Sequence, residues 1–117
     1  MNMTYPEYLK HIQRMMGAMA RERQGPVQAI GQLHQAALAE GALSPKVKEL
    51  VALAIATDVE CEGCIAQHLY GALEAGATKE EVVEVIGIVM MMHGGPGVVR
   101  GIKTFEALNQ FMEAQQG

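Results

Sequence analysis

The chain predicts an all-α fold of about six helices, and three observations carry that expectation. Apolar residues recur at three- and four-residue spacing along successive segments, as they do on one face of a helix. The apolar bulk comes from Ala, Val, Leu, Ile and nine Met, with two Phe, three Tyr and no Trp, a mixture suited to helices packed closely against one another. Helix-starting and helix-stopping residues punctuate the sequence, among them Thr4, Ser44-Pro45, Thr78, Gly41, Gly76 and Gly94-Gly95-Pro96. At 117 residues, with no linker, low-complexity segment or internal repeat, the chain reads as one domain spanning 1–117.

Thr4-Tyr-Pro-Glu7 has the form of a capping box with a proline near the first turn, and Leu9, Ile12, Met15, Met16 and Met19 follow. The first helix is expected from about Pro6 to Ala20. The polar stretch from Arg21 to Gln24 and the Gly25-Pro26 pair predict a break, after which Val27, Ile30, Leu33, Ala37 and Leu38 repeat at helical spacing. This second helix is expected to end near Glu40, with Gly41 as a left-handed cap. His34 reads as a surface or half-buried side chain with no part in chemistry.

Ser44 as N-cap and Pro45 at the first helical position start a third helix. It is apolar on every side through Leu50–Ala56, as expected of a helix enclosed by neighbours. A fourth helix is expected from about Glu60 to Ala75, ending at Gly76, with Cys61, Cys64, Ile65, His68, Leu69 and Ala72 as its inward face. Thr78-Lys-Glu-Glu81 is a second capping box and opens a fifth helix through Val82, Val83, Val85, Ile86 and Val89. Of Met90, Met91 and Met92, two suit the core and at least one should meet another chain or line a pocket. Gly94-Gly95-Pro96 forces a corner, and Val98, Val99, Ile102, Phe105, Leu108 and Met112 form the stripe of a sixth helix. The tail from Glu113 to Gly117 is expected to fray.

The formal charge is −4, and the nine Lys and Arg are scattered rather than aligned on one face, which argues against nucleic acid as a partner. No run approaches the length needed to span a bilayer, and the amino terminus lacks a basic start followed by an apolar core. No membrane partner is expected, and the cytoplasm is the expected location. In a reducing compartment a CxxC pair is more often redox-active or metal-binding than a structural staple.

The chemistry concentrates between Glu49 and His68. Cys61 and Cys64 are the only two cysteines, and Cys61, Cys64 and His68 would share one helical face. Cysteines three apart on a helix have Cα atoms roughly 5 to 6 Å apart, within the range for a disulfide. His68, one turn beyond Cys64, is placed to accept a thiol proton, and the thiolate is the nucleophilic form. Unpaired N–H groups in the first turn of the fourth helix also favour an anion at Cys61. Asp58, Glu60 and Glu62 oppose it. Glu49, followed by apolar Leu50–Ala56, needs a partner if buried, and His68 is the expected one.

Several alternatives stand beside this reading. Glu49 could be a surface residue favoured by the helix dipole, and His68 a satisfied core histidine. Cys61, Cys64, His68 and Glu49 could supply zinc ligands, although a tetrahedral site usually draws on a second cluster. No strand pattern flanks the cysteines as a thioredoxin fold requires, and Ile65 stands where a c-type haem site has histidine. The glycine-rich corner follows a helix and lacks the lysine of a phosphate loop. His93, beside that corner, is left unassigned. No flavin, haem or metal is called for.

The spacing of Glu49, Cys61, Cys64 and His68 resembles the signature of the alkylhydroperoxidase D (AhpD)-like branch of the carboxymuconolactone decarboxylase family. The Glu74–Glu81 turn and the Met90–Pro96 run are similar to the family's later segments, and the resemblance covers roughly residues 40 to 105. It implies an all-helical, oligomeric bundle, a homo-trimer or homo-hexamer, that reduces hydroperoxides or passes electrons between dithiols and disulfides. It makes Cys64 the peroxide-attacking thiol, Cys61 the resolving thiol, and Glu49 with His68 a proton relay. The implied partners are a hydroperoxide substrate and a dithiol reductant, protein-borne or lipoyl-like. The well-characterised enzyme of that branch has a second histidine where this chain has Gly63, which bears on peroxidase efficiency. A protein disulfide reductase or electron adaptor, and a non-redox decarboxylase using His68 and Glu49 for proton transfer, are the alternative activities.

Overall fold

The computed structural model describes residues 2–116, and within them the chain forms six helices and no strand. These are α1 (Tyr5–Glu22), α2 (Gln24–Leu38), α3 (Pro45–Asp58), α4 (Glu62–Glu74), α5 (Lys79–His93) and α6 (Gly95–Gln116). Both expected capping boxes form: the Thr4 and Thr78 hydroxyls accept from the N–H groups of Glu7 and Glu81, whose carboxylates accept from the cap N–H groups in return. Ser44 caps α3 by accepting from the Val47 N–H at 3.2 Å.

α3 packs most extensively on α4 and α5 on α6, while α1 closes over α4 and α6. The core lies where these elements meet. Leu53 of α3, Ile65 and Leu69 of α4, Val82 of α5 and Leu108 of α6 are all at 0% exposure there. Thr57 and Thr104 are buried with them and satisfy each other, hydroxyl to hydroxyl at 2.6 Å, while Thr57 also donates to the Leu53 carbonyl.

The structure corrects several sequence expectations. α2 starts at Gln24, so Gly25 and Pro26 sit in its first turn, where a proline forfeits no intrahelical bond. The break falls instead at Arg23, extended at φ −154° and ψ 99°. Gly41 is not a left-handed cap. α2 ends at Leu38 through extended Ala39, whose carbonyl accepts from Lys48 Nζ at 2.6 Å, so a lysine satisfies the helix end instead. Left-handed glycines occur at Gly76 and Gly94, which end α4 and α5.

The third helix is not enclosed by this chain's own elements. Val47, Val51, Ile55 and Val59 form an exposed row at four-residue spacing along it, and α2 buries no residue at all. Met90, Met91 and Met92 are all exposed, against the expectation that two join the core. Val82, Ile86 and Val89 already occupy the inward positions of α5, and the last turn extends past the core.

α6 turns only part of the expected stripe inward: Leu108 is buried and Met112 packs on the core as expected, but the amino-terminal half presents another face. Val98, Val99, Ile102 and Phe105 are exposed, whereas Gly97, Gly101, Thr104, Ala107, Leu108 and Phe111 are buried. The cause is the close approach of α5: a Cβ at Gly97 would lie 2.6 Å from the Val89 carbonyl oxygen, and one at Gly101 2.6 Å from Ile86 Cγ2. Only glycine fits at this contact. The tail is helical through Gln116 rather than frayed, anchored by buried Phe111 and by Met112 packed on the core. Gly117 lies outside the described residues.

Candidate active site

The site is built at the turn between α3 and α4. Glu60 is left-handed at φ 57°, the only such non-glycine among the described residues. Its N–H donates to the Thr57 carbonyl and the Cys61 N–H to that of Ala56, a paired closure of the helix end that normally recruits glycine. The chain therefore reverses within two residues and delivers Cys61 to the mouth of α4. Cys61 is the N-cap, one position ahead of the helix rather than within its first turn, and its sulfur accepts from the Cys64 N–H at 3.3 Å.

Cys61 and Cys64 are joined as a disulfide, with Cα atoms 5.2 Å apart. Cys64 packs against the hydrophobic core. One turn further along α4, His68 Nδ1 lies 2.7 Å from Glu49 Oε1, and the two side chains are only 16% and 14% exposed. An ionised carboxylate can only accept, so Nδ1 donates, and in a neutral imidazole Nε2 then carries the lone pair. Glu49 comes from the second turn of α3, and its partial burial and pairing exclude the surface placement. The expected Glu49–His68 contact is therefore present.

The acidic residues around the dithiol are paired with bases from the end of α5 and from α6. Asp58 faces His93 and Arg100, and Lys103 lies 4.0 Å from Glu60 and 3.5 Å from Glu62. These partners offset the negative charge that the sequence sets beside the cysteines. His93, unassigned from sequence, belongs to this charge cluster. Among the described residues, no three His, Cys, Asp or Glu side chains are gathered as a metal ion would require.

Two residues at the site are not among those the sequence assigns to it: His34 is expected there to have no part in chemistry, and Gly71 is not singled out. His34 of α2 stacks on His68, with ring centroids 5.7 Å apart and planes 9° from parallel. Nothing in its spacing connects it to residues so far downstream. Gly71 of α4 leaves the room that the Glu49 carboxylate fills, and a glycine inside a helical run was the available signal. Position 63, where the AhpD-like pattern has histidine, is closed over by α1: a Cβ at Gly63 would come within 3.1 Å of Ile12 Cδ1.

Fold and site together define a small helical bundle that carries a CxxC dithiol at a helix mouth, with a carboxylate–imidazole pair one turn behind it. The chain belongs to the carboxymuconolactone decarboxylase family, whose model matches residues 26–107. It is 36% identical over 104 residues to an uncharacterized protein of Cupriavidus necator, covering 86% of this chain and 92% of that protein. It is 33% identical over 78 residues to uncharacterized protein 4 in the cox locus of Paracoccus denitrificans, covering 67% of this chain and 70% of that one. The fold is similar to the crystal structure of a carboxymuconolactone decarboxylase family protein from Legionella pneumophila, with a TM-score of 0.85, 33% identity and coverage of 92% and 96% of the two chains. A Thermotoga maritima protein of the same family, for which involvement in an antioxidative response has been suggested, shares the fold at a TM-score of 0.80 and 23% identity, with 93% of each chain covered. Among the described residues, no helix is long and apolar enough to cross a membrane.

Proposed function

We propose that the protein is a thiol-dependent hydroperoxide reductase of the AhpD-like branch of its family. The observation that carries this reading is the 2.7 Å Glu49–His68 pair, set one helical turn beyond a cysteine that is already bonded to its neighbour. In the reduced protein, Glu49 holds Nδ1–H and Nε2 takes the proton of Cys64. The Cys64 thiolate attacks the distal oxygen of the hydroperoxide. An S–O bond forms, the O–O bond breaks, and the departing alkoxide recovers the proton from His68 and leaves as an alcohol, or as water from hydrogen peroxide. Cys64 is now a sulfenic acid. Cys61 then attacks the Cys64 sulfur, forming the disulfide and releasing water.

A dithiol reductant, protein-borne or lipoyl-like, restores both thiols by exchange and becomes a disulfide itself. Cys61, at the N-cap, is the sulfur it meets first. The exposed apolar rows of α3 and α6 support a homo-oligomer, a trimer or a hexamer. A CxxC that cycles between states fits a cytoplasmic protein, and the antioxidative role suggested for the Thermotoga relative agrees with the reading.

Intact-mass analysis of reduced protein after one equivalent of an organic hydroperoxide tests it. The unaltered chain should lose two hydrogens, and Cys61→Ser should gain one oxygen on Cys64. An unchanged mass, with rapid exchange against a dithiol, would instead assign the site to disulfide exchange. Activity surviving both Cys61→Ser and Cys64→Ser would assign it to proton-transfer chemistry.

A further inference from the structure

The turn that carries Cys61 holds more acid than base. Glu60 and Glu62 stand on either side of Cys61 in the chain, and among the described residues Lys103 of α6 is the only base that reaches either, at 4.0 Å from Glu60 and 3.5 Å from Glu62. Two carboxylates therefore share one ammonium beside the sulfur at the mouth of α4. Asp58, at the end of α3, has its own partners in His93 of α5 and Arg100 of α6. The Glu49–His68 pair lies one turn beyond Cys64, and Glu106 of α6 acts with Glu62 on the buried hydroxyl of Tyr5. From α1, Tyr8 also approaches α4 at Gly63. Lys103 is held in place by its neighbour. Thr104 is fully buried and meets the Thr57 hydroxyl at 2.6 Å, which fixes this turn of α6 against the last turn of α3.

We propose that Lys103 is a positioning residue for the dithiol: by neutralising Glu60 and Glu62 it stabilises the Cys61 thiolate and so sets how readily the Cys61–Cys64 disulfide is reduced. The assignment rests on the dithiol cycle proposed above, though not on hydroperoxide as its oxidant. A nearby ammonium favours a thiolate and a nearby carboxylate opposes it. Cys61 already draws on the helix mouth, where its sulfur accepts from the Cys64 N–H. Both halves of the exchange feel this charge. The first thiolate of a dithiol reductant bonds to Cys61 Sγ, and the electron pair of the broken S–S bond leaves on Cys64, which takes up a proton. The second reductant thiol, having released its proton, attacks the reductant sulfur of the mixed disulfide, and Cys61 departs with the electron pair as a thiolate. The first step brings an anion up to Glu60 and Glu62, and the second leaves one beside them. Lys103 favours each, and a disulfide whose reduced form is stabilised is the stronger oxidant.

The experiment measures the equilibrium constant for reduction of the disulfide by dithiothreitol at about pH 9, between the ordinary thiol and lysine values of about 8.5 and 10.4. It compares the unaltered chain with Lys103→Gln, Lys103→Glu, Lys103→Arg and Lys79→Gln. Lys79 is exposed at the other end of α5 from His93 and controls for net charge. At low ionic strength the constant should fall about threefold in Lys103→Gln and about tenfold in Lys103→Glu, the scale of an exposed ion pair applied once and twice. Lys103→Arg and Lys79→Gln should match the unaltered chain. At about 1 M salt, where the screening length is about 3 Å, the differences should shrink below about twofold. A merely structural lysine would move thermal melting without this salt-dependent shift. An unchanged constant in Lys103→Glu, or a loss in Lys103→Arg equal to that in Lys103→Gln, would overturn the assignment. No peroxide enters the measurement. The Lys103 shift in a chain that turns over no hydroperoxide would overturn the peroxidase reading alone, and turnover without the shift would overturn the Lys103 assignment alone.

Discussion

The carboxylate of Glu49 occupies the space that a side chain at Gly71 would fill: a Cβ at position 71 would lie 1.7 Å from Glu49 Oε2 and 2.6 Å from its Cδ. Gly71 and His68 are three apart on α4, so one turn of that helix both admits the carboxylate and presents the imidazole it holds. Gly71→Ala should push Glu49 off His68. Helix propensity favours alanine by about 1 kcal/mol, but loss of the part-buried Glu49–His68 bond outweighs it, so the melting temperature should fall modestly. Hydroperoxide-driven disulfide formation should slow by on the order of a hundredfold, the usual scale of a positioned acid–base group. Stopped-flow mixing of reduced protein with hydroperoxide gives the rate. A variant as fast as the unaltered chain would show that the pair does not act on the dithiol.

Glu60 carries a second, separable expectation. A side chain in the left-handed region costs roughly 1 kcal/mol relative to glycine, and Glu60 bears that cost at the turn that delivers Cys61. Its ion pair with Lys103 is long and exposed, and Lys103 keeps Glu62 as a partner when Glu60 is removed. Glu60→Gly should therefore stabilise the fold by about 1 kcal/mol, read as a higher urea midpoint with an unchanged slope. A lower midpoint would mean that the Glu60 side chain contributes more than the backbone conformation costs.

Much of this site was legible because it is local. Glu49, Cys64 and His68 lie on two consecutive helices and Cys61 on the three-residue connection between them, so chain spacing nearly determines their geometry. The caps at Thr4, Ser44 and Thr78 were readable for the same reason, since each closes within three residues. His34 was not legible, because it reaches His68 only through the packing of α2 beside α1 and α3. The α6 stripe was legible only toward its carboxy-terminal end, where Leu108 and Met112 meet the core. Apolar periodicity identifies a face fit for burial but not which surface covers it, and the close contact of Gly97 and Gly101 with α5 turned the small residues inward and left Val98, Ile102 and Phe105 outside. The same limit explains α3, whose Val47–Val59 row no element of this chain covers.

Tyr5, the first residue of α1, gives the fold a dependence on alkaline pH. It is 5% exposed, and its N–H donates to Gln110 Oε1 at 2.7 Å, tying α1 to α6. Burial pushes its hydroxyl up to about 12 from an ordinary 10.0, and the carboxylates of Glu62 and Glu106 add to the effect. The folded state thus holds this proton more tightly than the unfolded chain. The associated stability is fully present below about pH 10 and is lost as pH rises toward about 12, amounting to at most about 3 kcal/mol. Urea unfolding of the oxidised protein across that window excludes thiol titration, because Cys61 and Cys64 are bonded, and comparison with a Tyr5 variant separates Tyr5 from the lysines and other tyrosines that titrate there. Tyr5→Phe, which keeps the ring in place, should show a shallower loss of stability than the unaltered chain over the same range. Parallel curves for the two proteins would mean that the Tyr5 hydroxyl is not held neutral by the fold.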